Sequence, residues 1–175
     1  MKSRVLFSSD PEIEGIVARI PVFQEREREE KLLSFYSDLQ LNYNYFWKCC
    51  KPDGYMKIRT ASEIVYALYR LVLQENRGVV PRLTAGWRIR VAGVENKPEG
   101  LVENCREFCE TMDSELLDRI VESYHKWTSY DYPKDNNICS SQYGMDFENG
   151  GFIQAVDWGM VSRGDMSGCG VKIQG

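Results

Sequence analysis

The sequence has few of the residues, and none of the short motifs, from which common catalytic and metal-binding sites are built. His125 is its single histidine, so no Ser–His–Asp or Cys–His arrangement can be singled out. It has neither a phosphate-binding Walker loop nor a dinucleotide glycine fingerprint. No apolar run reaches the roughly 20 residues that span a bilayer. These absences argue against a P-loop enzyme, a dinucleotide-dependent dehydrogenase and a membrane-spanning protein.

Paired metal-binding cysteines are also lacking. Cysteines occur at positions 49, 50, 105, 109, 139 and 169, and none of them forms a CxxC pair. Cys105 and Cys109 would share one face of a helix, which suits either a metal pair or, more commonly, a buried apolar face. The irregular spacing, and a basic start too weakly apolar for a signal peptide, predict a reducing, cytoplasmic location. No metal ligand set is expected on this chain.

The composition provides enough apolar material for a core. Hydrophobic residues make up 43% of the 175 residues and aromatic residues 12%. This length suits one domain, or one domain with a small appendage. The net charge of -4 argues against general binding to nucleic acid, but it leaves room for a local basic site.

Four segments repeat apolar residues at the three- and four-residue spacing of an amphipathic helix. They predict helices near residues 22–50, 60–77, 99–110 and 114–129. Thr60 and Glu63 form a capping-box pattern that predicts the start of the second helix, and Gly78 predicts its end.

The remaining segments complete the predicted fold. Residues 4–7 predict a short strand, residues 13–20 a second strand or a short helix, and residues 84–97 a short strand or an extended loop. From residue 131 onward the apolar residues show no helical or strand periodicity, and an irregular, glycine-rich tail is expected. The predicted fold is therefore mainly α: a bundle of about four helices preceded by one or two short strands. The predicted divisions are an N-terminal strand and linker (1–20), the bundle (21–130) and the tail (131–175).

The end of the second helix is rich in arginine. Five arginines, at positions 70, 77, 82, 88 and 90, share this stretch with a single acid, Glu75. The guanidinium fork holds phosphate or carboxylate through paired hydrogen bonds, so an anion site near Arg77 and Arg82 is expected. The alternative is that these arginines pair with the glutamate-rich start of the first long helix.

A different enzyme class is suggested by Arg119 and His125. An arginine followed at about this distance by a histidine resembles the active-site pattern of HEPN-type ribonucleases. Six residues leave the two side chains roughly 120° apart on a regular helix, so a bend or a second copy in a homodimer would have to bring such pairs together. Packing of His125 beside Tyr124 and Trp127 is the alternative. A further hypothesis is an interaction module that docks a partner through an apolar patch at Tyr43, Phe46 and Trp47.

The stretch from about Phe23 to Pro81 resembles the helical domain that follows the catalytic head in some nucleotidyltransferases, the superfamily that includes aminoglycoside-modifying enzymes. The likeness rests on the aromatic-rich helix "LLSFYSDLQLNYNYFWKCC" and on a second helix that ends in Asn76-Arg77, with Pro81 shortly after. The opening "SRVLFSSDPEIEGIVARI" is similar to the last strand of such a head and its linker. The sequence departs from the family at Thr84 and Ala85, where the pattern often has Lys-Trp.

The resemblance implies a domain that helps to bind a substrate and does not itself catalyse. Its catalytic head would need a Gly-Ser turn and an Asp-x-Asp pair for Mg²⁺, and this sequence has neither. A head on another chain would therefore hold the Mg²⁺. The expected ligand is a nucleotide or small anionic substrate. The residues expected to bind it are Tyr69, Glu75, Asn76, Arg77 and Arg82.

Overall fold

The computed structural model describes residues 12–19, 23–78 and 87–148, and every regular element in those ranges is a helix. A single 3₁₀ turn, Glu25–Glu27, precedes the second α-helix, and a π-helical stretch, Leu41–Cys49, follows it; we call that stretch the π segment. The α-helices are α1 (Glu12–Arg19), α2 (Arg28–Gln40), α3 (Gly54–Glu75), α4 (Trp87–Ala92), α5 (Leu101–Thr111), α6 (Ser114–Trp127) and α7 (Asn136–Glu148).

Helix α2 lies at the centre of the bundle. Six consecutive residues, 34–39, are buried, so this helix is enclosed on all sides and not only along one stripe. It packs against α3 and against α7. An enclosed helix that carries polar side chains must find partners for them inside the protein. This requirement fixes where the polar residues of the neighbouring helices lie.

The change from α to π winding coincides with a side chain that bonds to the helix backbone. Asn42 Nδ2 donates to the Asp38 carbonyl at 2.9 Å and to Asp38 Oδ1 at 2.7 Å. A side-chain donor on this carbonyl competes with the normal α-helical bond and favours a wider turn. The i→i+5 pattern continues to the end of the segment, where the Cys50 amide donates to the Tyr45 carbonyl at 2.9 Å.

Helix α3 begins earlier than the sequence predicts. Its first residue is Gly54, and Asp53 precedes it in an extended conformation. Thr60 is buried inside the helix, so the prediction that Thr60 and Glu63 cap its start is wrong. A capping-box spacing also occurs within helices, and here the preceding turn of Lys51, Pro52 and Asp53 sets the boundary. The predicted end holds to within a few residues, since α3 ends at Glu75.

Helices α5 and α6 form a hairpin that closes the other side of the core. Met112, between them, is left-handed with φ of 53°, and the Asp113 carboxylate caps α6 by accepting from the Glu115 amide at 2.9 Å. Both helices were predicted, with ends shifted by at most two residues. The apolar positions that predicted the helices supply most of the core: Leu32, Phe35, Tyr36, Leu39, Tyr43, Trp47, Ala61, Ile64, Leu68, Leu71, Val72, Leu101, Val102, Cys105, Phe108, Leu116, Leu117, Ile120, Val121 and Tyr124.

Three expectations for the connecting segments need correction. Residues 136–148, expected to be irregular, form α7 and pack on α2. Residues 12–19 form a helix, which decides between the two alternatives for that stretch, and residues 87–92 form α4 where a strand or loop was expected. The strand predicted at residues 4–7 and residues 149–175 of the predicted tail lie outside the described residues. No described helix has the length and apolar character needed to cross a membrane.

The docking of α7 can be tested through its cysteine. Cys139 and Cys50 are both free thiols, but Cys139 is only 2% exposed whereas Cys50 is exposed. Burial raises the pKa of the Cys139 thiol, which lowers its reactivity further. We expect a small thiol reagent to modify Cys139 at least tenfold more slowly than Cys50 in the native protein, as measured by peptide mass spectrometry. In denaturant the two rates should converge. Equal rates in the native protein would show that α7 does not dock.

Candidate ligand-binding cavity

A cavity of about 450 Å³ lies among α2, the π segment, α3 and α7; we call it the central cavity. Its walls combine ionisable and aromatic side chains. It is lined by Asp38, Asn42, Phe46, Met56, Arg59, Thr60, Glu63, Tyr66, Arg70, Tyr143, Asp146 and Phe147. A concave site with apolar walls and a few convergent polar groups is the usual form of a small-molecule site.

Arg70 is the most deeply buried charge of this cavity. It is 1% exposed, and its guanidinium lies between two rings, 4.5 Å from the centroid of Phe35 and 4.1 Å from that of Tyr66. This position stabilises the cation through the faces of both rings. One amino group, Nη2, donates to Asp38 in a buried ion pair. Nε and Nη1 are buried without a hydrogen-bond acceptor in the structure.

Asp38 is the counter-charge of Arg70, but burial disfavours the ionised form of its carboxyl. The pKa of its carboxyl is raised to about 6, chiefly by burial and in part by the nearby acids Glu63 and Asp146, while Arg70 opposes the rise. Its Oδ1 accepts from Asn42 at 2.7 Å. The carboxyl of Asp38 can therefore change its charge close to neutral pH.

Asp146 brings a second carboxylate to the cavity from α7. Its two oxygens accept from Ser34 Oγ at 2.9 Å and from Gln142 Nε2 at 2.8 Å. Both donors are neutral, so the negative charge is solvated by the protein but not cancelled. Burial raises the pKa of this carboxyl above its ordinary value. Together with Glu63 and Asp38, it gives the cavity three carboxylates against the two guanidinium groups of Arg59 and Arg70.

The polar end of α3, where a ligand site was predicted, is held by contacts within the chain. Glu75 accepts from Tyr124 Oη at 3.1 Å, from Thr128 Oγ1 at 2.6 Å and from the Ser129 amide at 3.1 Å, and so joins the ends of α3 and α6. Asn76 Nδ2 donates to the carbonyls of Val72 and Asn96, each at 2.8 Å.

The two other described residues of the predicted site also have partners. Arg77 Nε and Nη2 donate to Glu25 at 3.1 and 3.0 Å, which is the pairing with the start of the first long helix that the sequence left open. Tyr69 is buried, and burial and the neighbouring thiols of Cys105 and Cys109 raise the pKa of its phenol. Arg82 lies outside the described residues. A ligand role for this set of residues stays a prediction.

His125 of the predicted Arg119–His125 pair is packed against aromatic and polar side chains. His125 is stacked on Tyr132, with ring centroids 5.0 Å apart, and its Nε2 lies 3.4 Å from Tyr36 Oη and 3.4 Å from Gln40 Nε2. Burial lowers the pKa of this imidazole. Arg119 is exposed on the same helix. The ribonuclease hypothesis stays a prediction.

Sequence reasoning missed the central cavity, although a signal for it exists. Ser34, Asp38 and Asn42 recur at four-residue spacing and form a polar stripe among the apolar residues that predict the core, along α2 and the start of the π segment. On α3, Arg59, Glu63, Tyr66 and Arg70 recur at three- and four-residue spacing. Two polar stripes on neighbouring long helices indicate a buried polar contact between them. Among the described residues, no group of His, Cys, Asp and Glu is arranged to hold a metal ion.

Comparison with known proteins provides no relative. No protein-family model, no curated protein and no solved structure matches this chain.

The buried pair predicts a non-additive pattern of stability. Replacing Asp38 by Asn leaves the Arg70 guanidinium buried without a counter-charge, and we expect the free energy of unfolding to fall by about 3–5 kcal/mol. Replacing Arg70 by Met in the same protein removes the stranded charge and should restore part of the loss. Urea denaturation of the two single variants and the double variant measures this. Losses that simply add would contradict the pairing. Glu122→Gln, which breaks an exposed pair with Lys126, is the control and should leave the urea midpoint unchanged.

Proposed function

We propose that this chain is a non-catalytic, ligand-binding helical domain that holds a small amine-bearing molecule in the central cavity. One observation carries the proposal: a buried arginine with two donor groups lacking acceptors lines a cavity in which carboxylates outnumber cations. Buried donors without partners are uncommon in folded proteins, and a ligand that completes the site is one physical reason for them.

The charge balance of the cavity favours a cationic ligand. Asp38 cancels Arg70 through their ion pair, so Glu63 and Asp146 face Arg59, which is exposed at the rim. One negative charge remains in excess. A protonated amine would neutralise this excess charge and would donate charge-assisted hydrogen bonds to the carboxylates, which are the strongest hydrogen bonds available to such a site. The aromatic rings of Phe46, Tyr143 and Phe147 add faces on which an organic cation can lie.

The unpartnered donors of Arg70 call for a second feature of the ligand. Nε and Nη1 need an oxygen acceptor, and Asp38 already occupies Nη2. Both atoms are covered by neighbouring side chains, so a ligand oxygen reaches them only when one of these side chains moves. A hydroxyl or carbonyl oxygen would then satisfy them without the repulsion that a full anion would meet from Glu63 and Asp146. The ligand is therefore a hydroxylated or carbonyl-bearing amine small enough for about 450 Å³.

This ligand chemistry agrees with the role that the nucleotidyltransferase resemblance implies for a helical domain. Such a domain helps to hold the acceptor substrate, while nucleotide and Mg²⁺ are bound by the head. We propose that a head on another chain would supply that part of the reaction. The acidic cavity suits an acceptor amine better than a nucleotide, whose phosphates the carboxylates would repel.

Binding of kanamycin, which carries amines and hydroxyls, tests the proposal by calorimetric titration at low salt. We expect measurable affinity at pH 7.5. Glu63→Gln should weaken it by about ten- to a hundredfold, because a charge-assisted hydrogen bond contributes about 1.5–3 kcal/mol. Glu103→Gln, which removes an exposed acid on α5, is the matched control and should leave the affinity unchanged.

Two results would count against the cavity as the site of binding. One is no heat of binding at millimolar kanamycin for a protein with a normal thermal melt. The other is an equal loss in the Glu63→Gln and Glu103→Gln variants, since that would mean general attraction to an acidic surface.

The raised pKa of Asp38 predicts how the affinity depends on pH. Below about 6 its carboxyl is protonated and no longer cancels the charge of Arg70, which then repels a cation; above about 6 it is ionised and the pair is neutral. Ethanolamine is a suitable probe, because it carries a hydroxyl and because alkyl amines such as that of lysine stay protonated through this range. We expect its affinity to rise several-fold between pH 5 and pH 7. An affinity that is flat or falls over this range would contradict the assignment.

A further inference from the structure

A second cleft, of about 360 Å³, lies where the end of the π segment and the start of α3 meet the start of α6; we call it the basic cleft. It is separate from the central cavity in its lining, although both use the same stretches of chain. Phe46 and Met56 line the central cavity, whereas the next residue after each, Trp47 and Lys57, lines the basic cleft. The complete lining is Trp47, Lys48, Lys51, Pro52, Lys57, Ser114 and Asp118.

The charge of this cleft is opposite to that of the central cavity and to that of the whole chain. Three lysines line it with a single acid, Asp118, in a protein of net charge -4. Lys48 Nζ lies 3.1 Å from Asp118 Oδ1, so that pair is neutral. Lys51 and Lys57 supply the remaining charge of +2. Two uncancelled ammonium groups at one concave surface repel each other, and an anion between them removes that repulsion.

The walls of the cleft are held in place by contacts of Trp47, so Lys51 is not needed to maintain them. Trp47 Nε1 donates to Ser114 Oγ at 3.2 Å, and its ring meets Phe108 edge-on with centroids 5.3 Å apart. Lys57 Nζ lies 5.5 Å from the centre of the Trp47 ring. The base of the cleft is therefore a buried indole, and a ligand in the cleft would change its fluorescence.

Lys51 directly follows the π segment and lies at the mouth of the basic cleft. Its φ is +48°, the left-handed conformation that also ends α3 at Arg77 and α5 at Met112, and Pro52 follows it. This turn places the exposed Lys51 side chain beside Trp47 and Lys57 in the lining of the cleft. The start of α6 lies on the opposite wall through Ser114, and its first turn is already capped by the Asp113 carboxylate, so the positive charge of the cleft comes from the lysines.

We propose that the basic cleft binds the phosphate chain of a small di- or triphosphate, either free or attached to a nucleoside. Lysine ammonium groups are strong phosphate partners that act as point charges, so two of them can share a flexible chain of phosphates. The inference goes beyond the amine site and does not depend on it. It also puts the anion site at the opposite end of α3 from the one that the arginine-rich sequence predicted.

Titration of the full chain with tripolyphosphate, ATP and adenosine, followed by calorimetry and tryptophan fluorescence, tests the proposal. We expect tripolyphosphate and ATP to bind with similar affinity, with a marked loss when salt is raised, and adenosine not to bind. Lys51→Gln and Lys57→Gln should each weaken tripolyphosphate binding by about tenfold. Lys134→Gln, an exposed lysine outside the cleft, is the matched control and should bind as the parent does.

Several outcomes would overturn the proposal. Equal affinity of the parent and the Lys51→Gln variant would do so, as would adenosine binding as tightly as ATP. Binding of single-stranded RNA that is weakened by these substitutions, with no binding of ATP or tripolyphosphate, would assign the cleft to a nucleic-acid backbone instead. Thermal melts of each variant keep the result interpretable. Should Lys57→Gln melt much lower than the parent, Lys51→Gln decides, since Lys51 is exposed.

Discussion

Arg70 carries a full positive charge into the interior, where it is stable only with a counter-charge and a closely fitted environment. Asp38 supplies the counter-charge, and the rings of Phe35 and Tyr66 cover the two faces of the guanidinium. Asp38 cannot ionise easily so deep in the protein, and its raised pKa reflects that conflict. The position of α2 against α3 therefore depends on the Asp38–Arg70 ion pair. Loss of either partner would leave the other as an uncompensated buried charge.

The π segment, the docking of α7 and the two concave surfaces are connected to this contact through α2. Asn42, bonded to Asp38, coincides with the change to π winding, and the π segment then carries Phe46 to the central cavity and Trp47 to the basic cleft. Helix α7 completes the central cavity because Ser34, four residues before Asp38, bonds Asp146. Two concave surfaces of opposite charge thus lie along the same two stretches of chain. That arrangement suits a domain that holds an amine on one side and a phosphate chain on the other.

Apolar periodicity predicted the four long helices and most of the core, because spacing along one helix is a local property. Leu68 and Phe108, for example, are buried as their positions in the repeat required. The start of α3 was misplaced because a capping pattern at Thr60 and Glu63 is as compatible with a helix interior as with its end. Helix α7 was missed because its residues show no apolar stripe; it is held by contacts such as Ser34–Asp146, between residues 112 positions apart. The central cavity was missed for the same reason, since Asp38 and Arg70 are 32 positions apart and only the fold brings them together.

The most direct test of this account is to observe the Arg70 side chain while an amine ligand is added. In a ¹⁵N-labelled protein, the Nε–H resonance of Arg70 is assigned by its loss in the Arg70→Met variant and followed during titration with kanamycin. The account predicts a saturable shift of that resonance, accompanied by shifts at Tyr143 and Asp146, because Nε is a buried donor that gains an acceptor. Saturable shifts confined to residues outside the central cavity, with the Arg70 resonance unmoved, would contradict it.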